Sequence, residues 1–251
     1  MAYSFVLLRG LVREAAHWGE FLDQMQEHFP DSSLACLDLP GAGAHYLKRC
    51  PTSIAEIVRF MRAEFRRLDL PKNRPVVLVA TSLGGMISAQ WVQDFPEDFH
   101  VSVFINTSYG SYSPFWQRLQ PRALKQLSKV FVLKGFSKEH RILEVVSNRP
   151  ELYPKIAAAW AEIGSQRPVS AENTIRQLVA AARFKTNIKK PPMKVLLLAS
   201  TQDRMVSVEC SRAIARAWGV PAVEHPTAGH DLPTDEPRWI AEQIQRFMKS
   251  F

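Results

Sequence analysis

Cysteine is scarce in this sequence. Cys36, Cys50 and Cys210 are the only three in 251 residues, too few and too scattered for a disulfide framework, which favours a reducing compartment. Long apolar runs are missing as well. In the first nine residues only positions 5–8 are continuously apolar and no basic segment precedes them, so neither a signal peptide nor a membrane span is expected, and a cytoplasmic location follows. No cluster of Cys, His and carboxylate has metal-ligand spacing. Neither repeats nor low-complexity tracts are visible. Acidic residues are the remaining shortage: 24 Asp and Glu against 32 Lys and Arg leave a net charge of +8. The deficit is local. Residues 111–190 hold fifteen basic and five acidic residues, whereas the remainder holds 17 and 19. Such a balance invites a nucleic-acid reading, but no stacking or groove-entering motif accompanies it. A scattered solvated basic surface is the plain alternative to a partner site.

What is present is an alternation of short apolar runs with amphipathic stretches. Buried strands are expected at residues 4–8, 33–37, 76–79, 101–105, 194–199 and 222–224. Between them, Trp18, Phe21, Leu22, Met25 and Phe29 recur at helical spacing, as do Ile54, Ile57, Val58, Met61, Phe65 and Leu68. Ser53 and Glu56 have the spacing of a capping box for the second of these helices. Strands and helices connected in this way predict a parallel sheet covered on both faces. A chain of 251 residues suffices for one such domain with an insertion. The alternation stops after Asn106. From residue 111 to 190 several helical patterns follow one another without a strand, separated by Pro150, Pro154 and Pro168.

The stretch that organises the chain is Val76 to Met86. A buried strand runs into a helix beginning near Leu83, so Ser82 falls on the turn between them. Such a turn brings strand, loop and helix start close together and demands small neighbours, supplied here by Ala80 and Gly84. This makes the stretch a variant of the G-x-S-x-G nucleophile elbow with alanine in the first glycine place. Three more stretches fit the same scheme: Asp38-Leu39-Pro40-Gly41-Ala42-Gly43, the loop Ser200 to Val206 containing Asp203, and Gly229-His230.

On these motifs, and over nearly its whole length, the sequence resembles the α/β-hydrolases. The resemblance implies an α/β-hydrolase fold with a shortened, mostly parallel sheet of about six strands, helices on both faces and a helical cap. The core would comprise residues 1–110 and 191–251, and the cap residues 111–190. It implies a catalytic triad of Ser82, Asp203 and His230, with oxyanion-hole amides from Leu11 and Leu83. His225, at a strand end before a proline, competes poorly with His230. Asp231, as the sequence neighbour of His230, is badly placed to serve as the acid. His17 and His28 have no partner at ligand spacing and read as surface or satisfied helix residues. Arg9 stands where the family usually has histidine. It is either a structural cation satisfied by nearby carbonyls or a pocket cation meeting an anionic substrate group. Trp116 and Trp160 are candidates for the substrate pocket as well as for cap packing.

A serine nucleophile argues against dehalogenase and epoxide-hydrolase chemistry, which in this family resembles carboxylate attack. Ester or thioester hydrolysis through an acyl-enzyme is the leading expectation, with no metal or organic cofactor required. The basic cap suggests a substrate carried by an acidic partner such as acyl carrier protein or coenzyme A. In architecture and charge the chain is similar to the pimeloyl-carrier-protein methyl ester esterases. The alternatives are a non-catalytic binding protein of the same fold and a peripheral lipid hydrolase. The latter is suggested by the basic, apolar-striped stretch from Arg118 to Lys134.

Overall fold

The computed structural model describes residues 1–185 and 188–250. Thr186 and Asn187, which fall in the stretch assigned to the cap, and Phe251 lie outside the described residues. Six strands, β1 (Ser4–Leu8), β2 (Ser33–Leu37), β3 (Val76–Thr81), β4 (Val101–Ile105), β5 (Lys194–Ser200) and β6 (Ala222–His225), form one sheet in the order β2-β1-β3-β4-β5-β6. Every neighbouring pair is parallel. This is the α/β-hydrolase sheet, shortened to six strands. Because alternate side chains of each strand face opposite ways, the sheet feeds two cores. Val6, Leu8, Leu78, Ala80, Phe104 and Leu197 belong to one. Phe5, Leu7, Val77, Val79, Val103 and Leu198 belong to the other.

The helices α1 (Glu20–His28), α2 (Ile54–Phe65) and α3 (Leu83–Asp94) follow β1, β2 and β3 or their exit loops. After β5 and β6 come α9 (Val208–Trp218), the short α10 (Leu232–Asp235) and α11 (Pro237–Met248). Helices α1 and α11 pack together on one face of the sheet, and α2 and α3 on the other. Ser53 does occupy the N-cap of α2, but its side chain makes no capping hydrogen bond. The capping box instead forms at a 3-10 turn, where Glu14 and His17 satisfy one another's backbone amides.

Among the described residues, five α-helices lie between β4 and β5: α4 (Phe115–Arg118), α5 (Pro121–Ser128), α6 (Gly135–Val146), α7 (Tyr153–Gln166) and α8 (Ala171–Arg183). Helices α5, α6 and α7 close over a small core of their own, including Ile142, Leu143, Ala157 and Trp160. The end of α6 is stapled to the sheet's carboxyl side. The amide of Asp231 donates to the Val146 carbonyl at 2.7 Å. The Ser147 hydroxyl donates to Asp235 Oδ1 at 2.6 Å, and Asp235 Oδ2 accepts from the amides of Asn148 and Gly229 at 2.9 and 2.7 Å. Among the described residues no helix is long and apolar enough to cross a membrane.

Candidate active site

Ser82 sits at the tip of β3 with φ 52° and ψ −119°, a conformation that costs a non-glycine residue free energy and persists only where its surroundings hold it. Hydrogen bonds on both sides of the residue do the holding, among them one from the Met86 amide to the Ser82 carbonyl at 3.2 Å. The Ser82 amide donates to the Ile105 carbonyl at 2.9 Å, and the Thr107 hydroxyl donates to the Ser82 carbonyl at 2.8 Å. The close approach also explains the small residues. A Cβ on Gly84 would lie 2.6 Å from the Arg9 carbonyl oxygen and 2.7 Å from that of Leu8, and one on Gly10 would lie 3.1 Å from the Ser82 Cβ. Ala80, by contrast, is fully buried within β3, where a methyl has room.

The Ser82 hydroxyl lies 3.0 Å from His230 Nε2, and His230 Nδ1 lies 2.7 Å from Asp203 Oδ2. The other carboxylate oxygen of Asp203 accepts the amides of Met205 and Val206, both at 2.8 Å. These two bonds orient the acid toward the ring. His230 is buried. Desolvation by itself pulls its basicity down, but the charge and hydrogen bond of Asp203, with the charge of Asp231, outweigh it and hold the pKa above the ordinary value of 6.5. The Leu83 amide follows Ser82 in the chain and opens α3, and Leu11 belongs to the loop that Gly10 brings against Ser82. Neither amide is taken by another hydrogen bond among the described residues. The positive end of the α3 dipole also lies at Leu83.

The sequence profile of the Alpha/beta hydrolase family matches residues 5–243. The chain belongs to that family. It is therefore a hydrolase by family, built on the hydrolase sheet. No curated protein matches it. Among solved structures it is similar to a meta-cleavage product hydrolase from Pseudomonas fluorescens IP01, with a TM-score of 0.78, 14% identity and coverage of 99% of this chain and 91% of that one. It is also similar to the 2-hydroxy-6-oxo-6-phenylhexa-2,4-dienoate hydrolase from Rhodococcus sp. strain RHA1, with a TM-score of 0.74, 18% identity and coverage of 99% and 91%. A lipase-esterase related protein from Clostridium acetobutylicum ATCC 824 gives a TM-score of 0.73, 16% identity and coverage of 98% and 94%. At such identities the likeness is one of fold.

In this hydrolase a cavity of about 390 Å³ runs from Ser82 and His230 under α5, α6 and α7, within the usual size of small-molecule sites of about 300–1,000 Å³. One wall is apolar, with Leu119, Leu127, Ile142, Val146 and Met205. The lining also carries charge, but paired charge. Arg13 bonds Glu139 at 2.9 Å with its guanidinium 4.0 Å from the Trp160 ring centre, and Arg167 meets Glu14 at 2.5 Å.

Several expectations need correcting here. Arg9 is satisfied neither by carbonyls nor by an open pocket. It makes a two-pronged ion pair with Asp231 at 3.0 and 2.6 Å, and both residues are buried. It still lines the cavity, but its charge is already neutralised within the protein. Trp116 is not in the cavity wall. It is exposed on α4, edge-on to Phe115, because Arg118 takes the inward position and donates to the Ala181 carbonyl at 2.7 Å. Trp160 does line the cavity. Of the two readings of His17, the satisfied helix residue holds and the surface residue does not: in its 3-10 turn it accepts the Glu14 amide at Nδ1, 3.1 Å away. It lines the same cavity, buried, and desolvation together with the charges of Arg13 and Arg9 keeps its pKa far below the ordinary value. His225 accepts the Ala228 amide at Nδ1, 3.1 Å away, and shapes the turn before His230 without joining the site.

Two residues that hold the site went unnoticed in the sequence. Asn106, at φ 46°, donates to the carbonyl oxygens of His230 at 2.8 Å and Gly229 at 3.3 Å, and accepts the Ser200 amide at 2.8 Å. One side chain thus ties the ends of β4 and β5 to the histidine loop. Asp235 does the same for the end of α6. An asparagine just after an apolar strand, where positive φ favours it, was the available signal for the first. Asp235 carries no such mark.

Proposed function

We propose that this hydrolase cleaves a carboxylic ester or thioester with an apolar acyl group by way of a covalent acyl-enzyme on Ser82. One observation carries the reading: the continuous chain of hydrogen bonds from the Ser82 hydroxyl through His230 to Asp203. A serine hydroxyl is hardly ionised near neutral pH, so its attack needs a base within hydrogen-bond reach. His230 takes the hydroxyl proton as Ser82 Oγ adds to the carbonyl carbon, and the tetrahedral oxyanion is met by the amides of Leu11 and Leu83. Asp203 fixes the ring so that Nε2 faces the hydroxyl and stabilises the imidazolium that forms. Collapse expels the alcohol or thiol, which leaves with the proton from His230. Water then adds to the acyl-enzyme with His230 again as base, and the acid departs as Ser82 recovers its proton. The apolar wall of the cavity supports an apolar acyl group. Arg9, Arg13 and Arg167 in the lining are each held by a carboxylate, and Lys138 lies 3.9 Å from the same Glu139 that Arg13 bonds, so among the described residues the lining offers an anionic acyl group no unpaired cation.

Covalent labelling tests the reading. A fluorophosphonate should attach to a single serine, Ser82, as read by mass spectrometry of the digested protein. Recovery of the label elsewhere, or none at all, would remove the serine-hydrolase assignment.

The raised pKa of His230 sets a pH dependence. The base works only when neutral, so kcat/KM for a soluble ester should fall as pH drops through a midpoint above 6.5. Since Asp203 supplies the largest upward push, Asp203→Asn should move that midpoint to lower pH while reducing the plateau. A pH profile whose acid limb is the same in both proteins would show that Asp203 does not act on the base.

A further inference from the structure

From Ser111 to Lys138 the chain carries six basic residues and no acidic one. In the structure this stretch forms α4, α5, a 3-10 turn (Lys129–Val132) and the start of α6. Large apolar side chains stand in solvent along it: Leu124 is 54% exposed, Phe131 61%, Val132 84% and Phe136 46%. Arg122, Lys125, Lys129 and Lys134 are exposed among them. A soluble surface has no need to set four such side chains in water within thirteen positions. Steering of coenzyme A or an acidic carrier would need the charges alone. An anionic bilayer interface rewards both features, since apolar side chains enter the acyl boundary while lysines and arginines meet the headgroups. The location adds a third observation. Leu124, Leu127, Val130, Phe131 and Leu133 also line the cavity that reaches Ser82, so the exposed apolar surface and the roof of the site are the same piece of chain.

We propose that residues 121–138 dock this hydrolase on an anionic phospholipid bilayer and pass membrane-borne acyl esters from it into the cavity; the second half of this rests on the hydrolase reading above. Lys138, at the end of this stretch, turns to the cavity and lies 3.9 Å from Glu139, whereas Arg122, Lys125, Lys129 and Lys134 line no part of the cavity and remain exposed for headgroups.

The test uses the full chain with vesicles of phosphatidylcholine alone or mixed with phosphatidylglycerol, read by co-sedimentation at low salt. The protein should sediment with the anionic vesicles and stay in solution with the neutral ones. Binding should weaken by about tenfold or more in Lys125→Glu/Lys129→Glu/Lys134→Glu and in Val132→Ser/Phe136→Ser. These five residues lie outside the cavity wall, so hydrolysis of soluble p-nitrophenyl butyrate should stay within about twofold of the parent in both variants. Absence of binding to anionic vesicles, equal binding to both vesicle types, or unchanged binding in the variants overturns the docking surface. Retention of the parent protein by an acidic acyl carrier protein, with none by vesicles, assigns the patch to a carrier and likewise sinks it. The two readings fail separately. Vesicle binding without hydrolysis of any ester removes the serine-hydrolase reading and leaves the surface, whereas ester hydrolysis without vesicle binding does the reverse.

Discussion

His230→Ala is expected to lower kcat/KM for a p-nitrophenyl ester by about 10⁶-fold, and adding Asp203→Ala should take almost nothing more. The reason is geometric. Asp203 touches the ring nitrogen remote from Ser82, at 2.7 Å, and has no path to the reacting atoms except through His230. Once the ring is gone there is nothing left to orient. Asp203→Ala alone should cost less, about 10⁴-fold, because an unoriented imidazole still serves as a base part of the time. Asp203 also accepts two backbone amides, so its removal could disturb the loop. Asp203→Asn retains an acceptor for those amides and separates the two effects. Steady-state rates for the single and double variants decide the matter: losses that multiply would mean that Asp203 acts independently of His230.

The second large effect is on stability. Arg9→Met should destabilise the protein by about 3–5 kcal/mol, because it strips a buried carboxylate of the one cation that contacts it directly among the described residues. In a chain of this size that is a fall in Tm of roughly 10 °C, readable by thermal denaturation. The pH dependence carries the sign of the argument. Burial alone would raise the pKa of Asp231, but Arg9, by charge and by hydrogen bond, outweighs burial and holds it below the ordinary 3.8. In the parent protein the pair therefore contributes its stability above about pH 3.8 and loses it only in more acidic solution. Without Arg9 the desolvation of Asp231 is unopposed at close range and its pKa rises. The penalty of Arg9→Met should then be largest at neutral pH and shrink on acidification, as the carboxylate takes up a proton. Arg9→Met/Asp231→Leu should recover most of the lost stability, since an apolar pair of similar volume has no charge to desolvate. A penalty that is independent of pH would mean that Arg9 acts through packing on Trp18, whose ring centre lies 4.9 Å from the guanidinium carbon.

The sheet was legible in the sequence almost to the residue. The expected strands at 4–8, 33–37 and 101–105 are β1, β2 and β4, and β3, β5 and β6 run at most two residues beyond their expected ends. A strand buried on both faces is a continuous apolar run bounded by turn residues, which is local information. The motifs around Ser82, Asp203 and His230 were legible for the same reason, because a strand-to-helix elbow and its companion loops impose small or turn-forming residues at short range. Length and alternation also determined that one parallel sheet would carry them.

What the tertiary structure decided are the relations between distant positions. Arg9 and Asp231 lie 222 residues apart, and nothing near either one says that the arginine's charge is taken up by that carboxylate and not by a substrate. Asn106 reaches the histidine loop 124 residues away, and Asp235 reaches the end of α6 88 residues away. Helical spacing on α4 could not tell whether Trp116 or Arg118 would turn inward, since a four-residue helix has no periodicity to read, and the Ala181 carbonyl that receives Arg118 belongs to another helix. Sequence patterns record which side chains an element must bury. Which charges meet inside, and which aromatic rings are left in water, is decided only when the elements pack and each buried polar group finds a partner or stays outside.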